Sequence, residues 1–215
     1  MAGKTVNPTR MELTRLKGRL KTARRGHKLL KDKRDELMKQ FMDVVRRNRA
    51  LRAKVEQGLK EANAAFTVAA ALMGPEVLEE SLSCPRRSVS LEVSTRNIMS
   101  VNVPVFTFQT DSDDALLPYG FAQTSGELDA ALEKMQAVFA DMLELAQVEK
   151  TMQLLAQDIE KTRRRVNALE YVMIPETEQN IRYITMKLDE NERGNTTRLM
   201  KVKEMVLQDA HHYQP

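Results

Sequence analysis

The stretch LTRLKGRLKTARRGHKLLKDKRDELMKQFMDVVRRNRALRAKV, residues 13–55, decides the fold. Positions spaced alternately three and four residues apart form one face along it, and ten of these thirteen positions are apolar. This spacing is typical of a long helix whose apolar seam packs against a second helix. The positions are Leu13, Leu16, Leu20, Ala23, His27, Leu30, Arg34, Leu37, Phe41, Val44, Asn48, Leu51 and Val55. The sequence therefore predicts a coiled-coil helix.

The two ends of this helix carry recognisable signals. Asn7-Pro8-Thr9 predicts the start, because the first turn does not use the N–H group that proline lacks. Met73-Gly74-Pro75 predicts the end. His27, Arg34 and Asn48 interrupt the seam, and such polar residues commonly fix the register of a coiled coil.

A second helical seam begins near Glu127. Its positions are Leu145, Val148, Met152, Leu155, Ile159, Thr162, Val166, Leu169 and Met173, continued after a phase slip by Ile181, Ile184, Leu188, Leu199, Val202 and Val206. Pro175 cannot complete the helical hydrogen bonding, so we expect a bend there rather than a break. The two helices predict an antiparallel coiled coil, with facing residue numbers that add to roughly 216 if the helix ends match.

The segment between the helices has a different pattern. A short helix is predicted over 75–82, followed by two alternating runs, at Val89, Leu91 and Val93 and at Val101, Val103 and Val105. A short polar turn with Arg96-Asn97 separates them, so we expect a β-hairpin over about 88–106, with Pro104 at an edge or strand end. A loop rich in turn-forming residues follows over 109–126.

The fold class is therefore mainly α: a long antiparallel two-helix coiled coil with a small central insert. Residues 1–73 form the first shaft helix, residues 74–126 the insert with its short helix and hairpin, and residues 127–215 the second shaft helix. The lone Cys84 excludes an intramolecular disulfide and fits a reducing compartment. No signal peptide or membrane-spanning run is evident, so we expect a soluble, cytosolic chain.

Nothing in the sequence supports catalysis. The nucleotide-binding, hydrolase, metalloprotease and paired-cysteine motifs are absent. We therefore expect a non-enzymatic chain with no cofactor and no metal site. The charge is uneven: residues 1–60 carry about 19 Lys and Arg against 6 Asp and Glu, whereas residues 61–215 carry about 15 against 24. This asymmetry suits an acidic protein partner as well as it suits phosphate.

Three consecutive arginines, Arg163, Arg164 and Arg165, stand in the stretch EKTRRRVNALEYVMIPE, residues 160–176. With Ile159 and Val166 in the seam, the heptad phase turns them outward. The predicted register sets them opposite a second cluster, which consists of Arg46, Arg47, Arg49 and Arg52. The arginine clusters have three interpretations. They form a solvated face, they bind a protein partner with acidic or carbonyl-rich surfaces, or they bind nucleic acid. Nucleic acid is the weakest, because stacking aromatics and known nucleic-acid-binding motifs are absent.

Two segments resemble a known family. NPTRMELTRLKGRLKTARRGHKLLKDKRDELMKQF, residues 7–41, and KTRRRVNALEYVMIPETEQNIRYITMKLDENERGNTTRLMKVKE, residues 161–204, are similar to the D subunit of the bacterial and archaeal V-type and A-type rotary ATPases. The resemblance covers nearly the whole chain and is strongest in three short pieces. These are Pro8-Thr9-Arg10, Leu29 to Arg34, and Arg164 to Glu170 together with Ile174-Pro175.

The resemblance implies a central rotor stalk, present once per complex, that transmits torque between the catalytic A/B hexamer and the membrane ring. It also implies contacts with the F subunit and with the funnel-shaped subunit that caps the ring, on the cytoplasmic side of the membrane. Within this frame, Arg46, Arg47, Arg49, Arg52 and Arg163, Arg164 and Arg165 are expected to contact the hexamer or the F subunit. Residues 88–106 are expected to dock or to regulate activity. The alternative is a free-standing basic coiled-coil adaptor or nucleic-acid-binding protein.

Overall fold

The structure, a computed structural model, describes residues 6–83, 88–110, 119–120 and 124–212, and their side chains except those of Thr110 and of residues beyond Leu207. The predicted fold class is confirmed: two long helical regions, from the N-terminal and C-terminal parts of the chain, pack together, and a small insert with a hairpin separates them in sequence. The elements are α1 (Arg10–Met73), α2 (Pro75–Leu82), β1 (Val89–Ile98), β2 (Val101–Thr110), α3 (Gly126–Ala168), a π-helical turn (Leu169–Met173) and α4 (Ile174–His212). Cys84 and most of the predicted loop over 109–126 lie outside the described residues.

The ends of α1 follow from local chemistry. The Thr9 hydroxyl accepts a hydrogen bond of 3.2 Å from the Glu12 N–H, which satisfies one of the free donors of the first turn. At the other end, Gly74 adopts a φ of 80°, a left-handed conformation that costs glycine little. Pro75 then starts α2 at a position where its missing N–H is not needed.

Contacts divide the chain into two units, residues 1–34 with 161–215 and residues 35–160. In the first unit, Arg24 donates to Glu178 at 2.7 Å and His27 lies 3.3 Å from Glu170. As the residue number rises from 24 to 27 in α1, the number of its partner falls from 178 to 170, so the two helical regions run antiparallel. The seam of this unit is buried at Leu16, Thr162, Val166 and Ile184.

The second unit contains the hairpin and its own stretch of coiled coil. Its seam is buried at Leu37, Asn48, Val55, Val148, Leu155 and Ile159. Towards the end of α1 the seam changes to small residues, with Ala62, Ala65 and Ala69 buried on α1 and Leu128 and Ala131 buried on α3. Beside them, a Cβ atom on Gly58 would overlap the Val138 side chain. The two helices therefore approach closely at this point.

The hairpin packs on this coiled coil through β2. Val101 and Val103 are buried in a cluster with Leu37, Leu155 and Ile159. The pairing of β1 with β2 is antiparallel, and Ile98 is opposite Val101. The turn consists of Met99 and Ser100, so the predicted turn at Arg96-Asn97 is wrong. Asn97 lies in β1, where its side chain supports the turn by bonding Asn102 at 2.8 Å and the Ser100 N–H at 3.0 Å.

The predicted register is also wrong. Arg47 pairs with Glu144, and Lys54 Nζ lies 2.8 Å from Asp141, so facing residue numbers add to roughly 195 rather than 216, an offset of about three heptads. The estimate assumed matching helix ends, but the helix ends do not match. Leu199, Val202 and Val206, predicted as seam, are between 55% and 69% exposed. Arg47 of α1 therefore faces an acidic residue of α3 rather than an arginine.

The predicted phase slip is confirmed, and the π-helical turn explains it. A π turn holds one residue more than an α turn, so it moves the seam by one position. Met173, predicted as seam, is consequently 43% exposed, and the half-buried Ile174 takes its place. The helix remains continuous through Pro175, which lies in the first turn of α4. The expected bend angle stays a prediction.

Candidate partner-binding surfaces

The arginines of α1 are exposed but largely paired within the chain. Arg46 lies 3.5 Å from Asp43, Arg47 pairs across the coiled coil with Glu144, and Arg52 lies 3.5 Å from Glu56. All three side chains are more than 60% exposed, so these ion pairs are weak, on the order of 0–1 kcal/mol each. Such contacts exchange readily for others. Arg49 is exposed and has no ion-pair partner within the described ranges.

The arginines of α3 point outward, as the heptad phase predicts. Arg163, Arg164 and Arg165 are all exposed, whereas Thr162 and Val166 on either side are 3% and 1% exposed. Arg163 and Arg165 have no salt-bridge partner in the part of the chain that the structure describes. These side chains are therefore available to a second molecule.

The six predicted hairpin residues divide into two sets. Val89, Leu91 and Val93 of β1 are 42%, 47% and 59% exposed. In contrast, Val101 and Val103 of β2 are buried in the core and Val105 is half-buried. Val101 and Val103 therefore hold the hairpin on the helices, and β1 carries the surface that a partner can reach.

The C-terminal part of α4 carries an apolar stripe that sequence reasoning assigned to the seam. Leu199, Val202 and Val206 recur at three- and four-residue spacing, and each is more than half exposed. From residue 189 to 207 every residue is exposed except Gly194, which is half-buried. The stripe keeps the pattern of a packed helix face, although no described helix of the same chain covers it. Only the tertiary register reveals that the stripe is exposed, because the heptad pattern of one helix is the same whether or not a second helix covers it.

A smaller exposed apolar group lies at the π-helical turn, where Tyr171, Val172 and Met173 are 72%, 58% and 43% exposed. Sequence reasoning missed this group. The one-residue slip between the two halves of the second seam could have predicted it, because the slip marks the turn where these side chains leave the seam. Tyrosine and arginine are among the residues most enriched at binding hot spots, and this turn follows the three arginines of α3 closely in sequence.

Neither a metal centre nor a membrane span is evident in the described residues. Within the described ranges, no group of three or more His, Cys, Asp or Glu side chains could hold a metal ion. None of the helices there combines the length and the apolar character needed to cross a bilayer. The surfaces that the structure presents are thus charged or apolar patches on helices and on one strand, which suit protein contacts.

Comparison with known proteins assigns the chain to a family. The family described as the D subunit of ATP synthase matches residues 12–204. The chain belongs to the ATP synthase D subunit family. A V-type ATP synthase D subunit of Acetivibrio thermocellus is 65% identical over 215 residues, which cover 99% of this chain and 97% of that protein. The V-type ATP synthase D subunit of Clostridioides difficile is 60% identical, over 98% of this chain and 95% of the relative.

A third member of the D subunit family, from Clostridium novyi, is 57% identical over 96% of this chain and 97% of its own length. The match with the family includes most of α1, all of α2, the hairpin and α3, and most of α4. The resemblance to the D subunit of rotary ATPases, which is strongest in three short pieces of sequence, is therefore confirmed over most of the chain.

Proposed function

We propose that this chain is the central rotor-stalk subunit of a V-type ATP synthase, a non-catalytic shaft that transmits torque between the A/B hexamer and the membrane ring. It acts as one copy per complex, on the cytoplasmic side of the membrane. Its other partners are the F subunit and the funnel-shaped subunit that caps the ring. The relatives named as D subunits of V-type ATP synthases support this assignment.

The exposed end of α4 is the observation that carries the proposal. A helix with an exposed apolar stripe gains free energy when a partner covers the stripe. The gain is about 25 cal/mol for each Å² of apolar surface removed from water. Leu199, Val202 and Val206 therefore favour a partner that surrounds or covers a single helix. The central cavity of a ring of six subunits has this geometry. Near the rotation axis, contacts also have a short lever arm, so an apolar contact there opposes rotation little.

The arginine clusters supply a second kind of contact. Long guanidinium side chains can exchange carboxylate and carbonyl partners as the shaft turns, because each exposed ion pair is weak. We assign Arg46, Arg47, Arg49 and Arg52, and Arg163, Arg164 and Arg165, to contacts with the hexamer or with the F subunit. Arg49, Arg163 and Arg165 are the strongest candidates for these contacts, because none of them has an ion-pair partner among the described residues.

Reconstitution tests the assignment directly. The purified chain is mixed with the A/B hexamer and the F subunit, and size-exclusion chromatography follows complex formation at physiological salt. We expect a stoichiometric complex and rotation of a bead attached to the chain during ATP hydrolysis. DNA at the same salt forms the second arm of the experiment. Binding to DNA without binding to the hexamer would instead establish the basic adaptor or nucleic-acid-binding alternative.

Variants separate the two surfaces. Replacing Leu199, Val202 and Val206 with serine is expected to weaken binding to the hexamer at least about tenfold, since three apolar side chains lose their cover. The matched control is Lys201→Ser with Glu204→Ser, which removes a 3.3 Å ion pair on the other side of the same helix. Equal effects of the two sets would contradict a role for the stripe.

The arginine subset has its own control. Arg49→Ala, Arg163→Ala and Arg165→Ala together are expected to weaken assembly about tenfold and to reduce its salt dependence, because screened charge contacts are lost. Lys134→Ala removes an exposed charge outside both clusters. Unchanged assembly, torque and salt dependence in the triple variant would remove the arginines from the proposed interface.

A further inference from the structure

No strand among the described residues pairs with the outer edge of β1, and the chemistry of this edge specifies what can cover it. The two-residue turn makes Ile98 and Val101 a hydrogen-bonded pair, so hydrogen-bonded and non-hydrogen-bonded pairs alternate from there. Thr95 with Pro104 and Val93 with Phe106 are then non-hydrogen-bonded pairs. Two observations agree with this phase: Pro104 needs no N–H there, and the Phe106 N–H donates outward to Gln147 at 3.0 Å.

The same phase fixes the free edge of the sheet. In non-hydrogen-bonded pairs, the backbone N–H and C=O groups point away from the partner strand. Val89, Leu91, Val93 and Thr95 therefore present donors and acceptors at the outer edge of β1, about 7 Å apart along the strand. Only another extended backbone offers groups with this spacing. A helix, whose backbone groups bond within the helix, does not.

This edge carries few of the features that normally block strand addition. Protected edges carry charged side chains, especially lysine, or prolines or bulges. The two charged residues of β1, Glu92 and Arg96, both lie on the face opposite Val89, Leu91 and Val93. β1 contains no lysine or proline, and each of its ten residues pairs one to one with β2. Every residue from Val89 to Asn97 is exposed. β2 differs, because its outer edge faces α3 and carries Pro104.

The two faces of the sheet define the side chains that a third strand would need. Val89, Leu91 and Val93 share a face with Phe106 and Phe108, and this face continues into a groove where Val93, Pro104 and Phe106 meet Ala146, Lys150 and Leu154 of α3. The other face of β1 carries Ser90, Glu92, Ser94 and Arg96. A matching strand is thus apolar on one face, with an acidic group suited to Lys150, and polar on the other.

We propose that the outer edge of β1, Val89–Thr95, binds an extended segment of another subunit of the rotary complex as a third β-strand. This inference rests on the proposed function, because the complex supplies the partner. It gives the hairpin a defined mode of docking by backbone pairing. It also explains why the exposed apolar residues and the outward backbone groups belong to the same positions.

Amide hydrogen exchange at single-residue resolution tests the proposal in the complex assembled from the chain, the A/B hexamer, the F subunit and the ring-capping subunit. We expect the outward amides of Leu91 and Val93 to exchange at least about tenfold more slowly in the complex than in the free chain. The inward amides of Glu92 and Ser94, bonded to β2 in both states, serve as the internal reference. Unchanged exchange at Leu91 and Val93 in a complex that has formed would overturn the proposal.

If the proposed function is wrong, no complex elutes from the size-exclusion column. This outcome is distinct from a complex that forms without slower exchange at Leu91 and Val93. A pair of variants adds a second readout. Leu91→Pro removes an outward N–H but no bond to β2, in the way that the hairpin already accommodates Pro104. Leu91→Thr keeps the N–H and the strand preference.

We expect Leu91→Pro to abolish the slowed exchange at Val93 and to weaken assembly at least about fivefold relative to Leu91→Thr. Protection of the Glu92 and Ser94 amides in the free Leu91→Pro chain verifies that its hairpin is intact. Equal assembly of the two variants would contradict strand addition. A dimer of the free chain that Leu91→Pro dissociates would assign the edge to a second copy of this chain and overturn a different subunit as the occupant.

Discussion

The backbone N–H of Ile174 donates to the carbonyl oxygen of Leu169, five residues earlier. This bond closes the π-helical turn, which inserts one residue between the buried Val166 and the seam residues of α4. The N–H that would follow in the ladder is missing, because the next residue is Pro175. The slip in the apolar pattern and the proline therefore occur at one place, where the helix already departs from α geometry.

Deletion of one residue from the π-helical turn tests whether the turn is an inserted residue in the coiled coil. Removing the exposed Val172 is expected to convert the turn to α-helix while Val166 and Ile184 stay buried, so any fall in the thermal midpoint comes from Pro175 and not from the seam. Removing the exposed Ala156 instead shifts every later seam position, and should lower the free energy of unfolding by about 3 kcal/mol or more.

Circular dichroism and thermal melts provide the measurement for both deletions. If the shortened helix suffers from Pro175 alone, adding Pro175→Ala to the Val172 deletion should restore the midpoint, because proline in a helix interior costs about 3 kcal/mol. The Val172 deletion combined with Pro175→Ala should therefore be more stable than the Ala156 deletion. Equal loss of stability in the two would contradict the interpretation that the π turn is one residue inserted into the coiled coil.

The close approach of α1 and α3 at Gly58 predicts that Gly58→Ala is destabilising. A Cβ atom there would overlap Val138, so we expect a loss of about 1–3 kcal/mol in the free energy of unfolding, measured with urea. Gly18 offers the matched control, because a Cβ atom on it meets nothing within 4 Å. Gly18→Ala should stabilise by roughly 0.5–1 kcal/mol. Adding Val138→Ala to Gly58→Ala is expected to recover part of the loss.

The hairpin turn holds two residues in the left-handed region, Met99 at a φ of 49° and Ser100 at a φ of 73°. Glycine adopts this conformation without the steric cost of about 1–2 kcal/mol that other residues incur. Ser100→Gly is therefore expected to slow hydrogen exchange of the inward amides of β1 by a few-fold. Ser94→Gly, at an extended position in the same hairpin, should speed it. Faster exchange in Ser100→Gly would argue against strain at the turn.

Tyr119 donates a hydrogen bond of 2.6 Å to Asp129 in the first turn of α3. Burial, reinforced by this hydrogen bond, raises the pKa of Tyr119 above its ordinary value. The neutral phenol is thus favoured in the folded state. Its contribution to stability is fully present below the unfolded-state pKa of about 10, and is lost as the pH rises through the higher folded-state value.

Tyr119→Phe isolates this contribution. The difference in thermal midpoint between the unmodified chain and Tyr119→Phe should stay constant up to about pH 9 and shrink above about pH 10. Tyr171 and Tyr183 are present in both proteins, so they do not enter the difference. A difference that grows with pH would show that folding lowers the pKa of Tyr119 instead of raising it, and would contradict the role given to the hydrogen bond.

Local chemistry in the sequence determined the elements. The heptad spacing from Leu13 to Val55, the Thr9 and Gly74-Pro75 boundaries and the outward phase of Arg163, Arg164 and Arg165 all follow from periods of 3.5 residues and from backbone constraints on proline and glycine. Each of these features depends on neighbours within a few turns. The structure confirms them for that reason.

Only the tertiary structure decided which residues meet. A heptad repeat is compatible with registers that differ by whole heptads, so the sequence could not choose between facing Arg47 with arginine and facing it with Glu144. The choice came from long-range packing, including the close approach at Gly58 and the docking of Val101 and Val103 on both helices. The same register leaves Leu199, Val202 and Val206 uncovered. The pattern of an apolar seam is a local property of one helix, whereas the presence of its partner is a property of the fold.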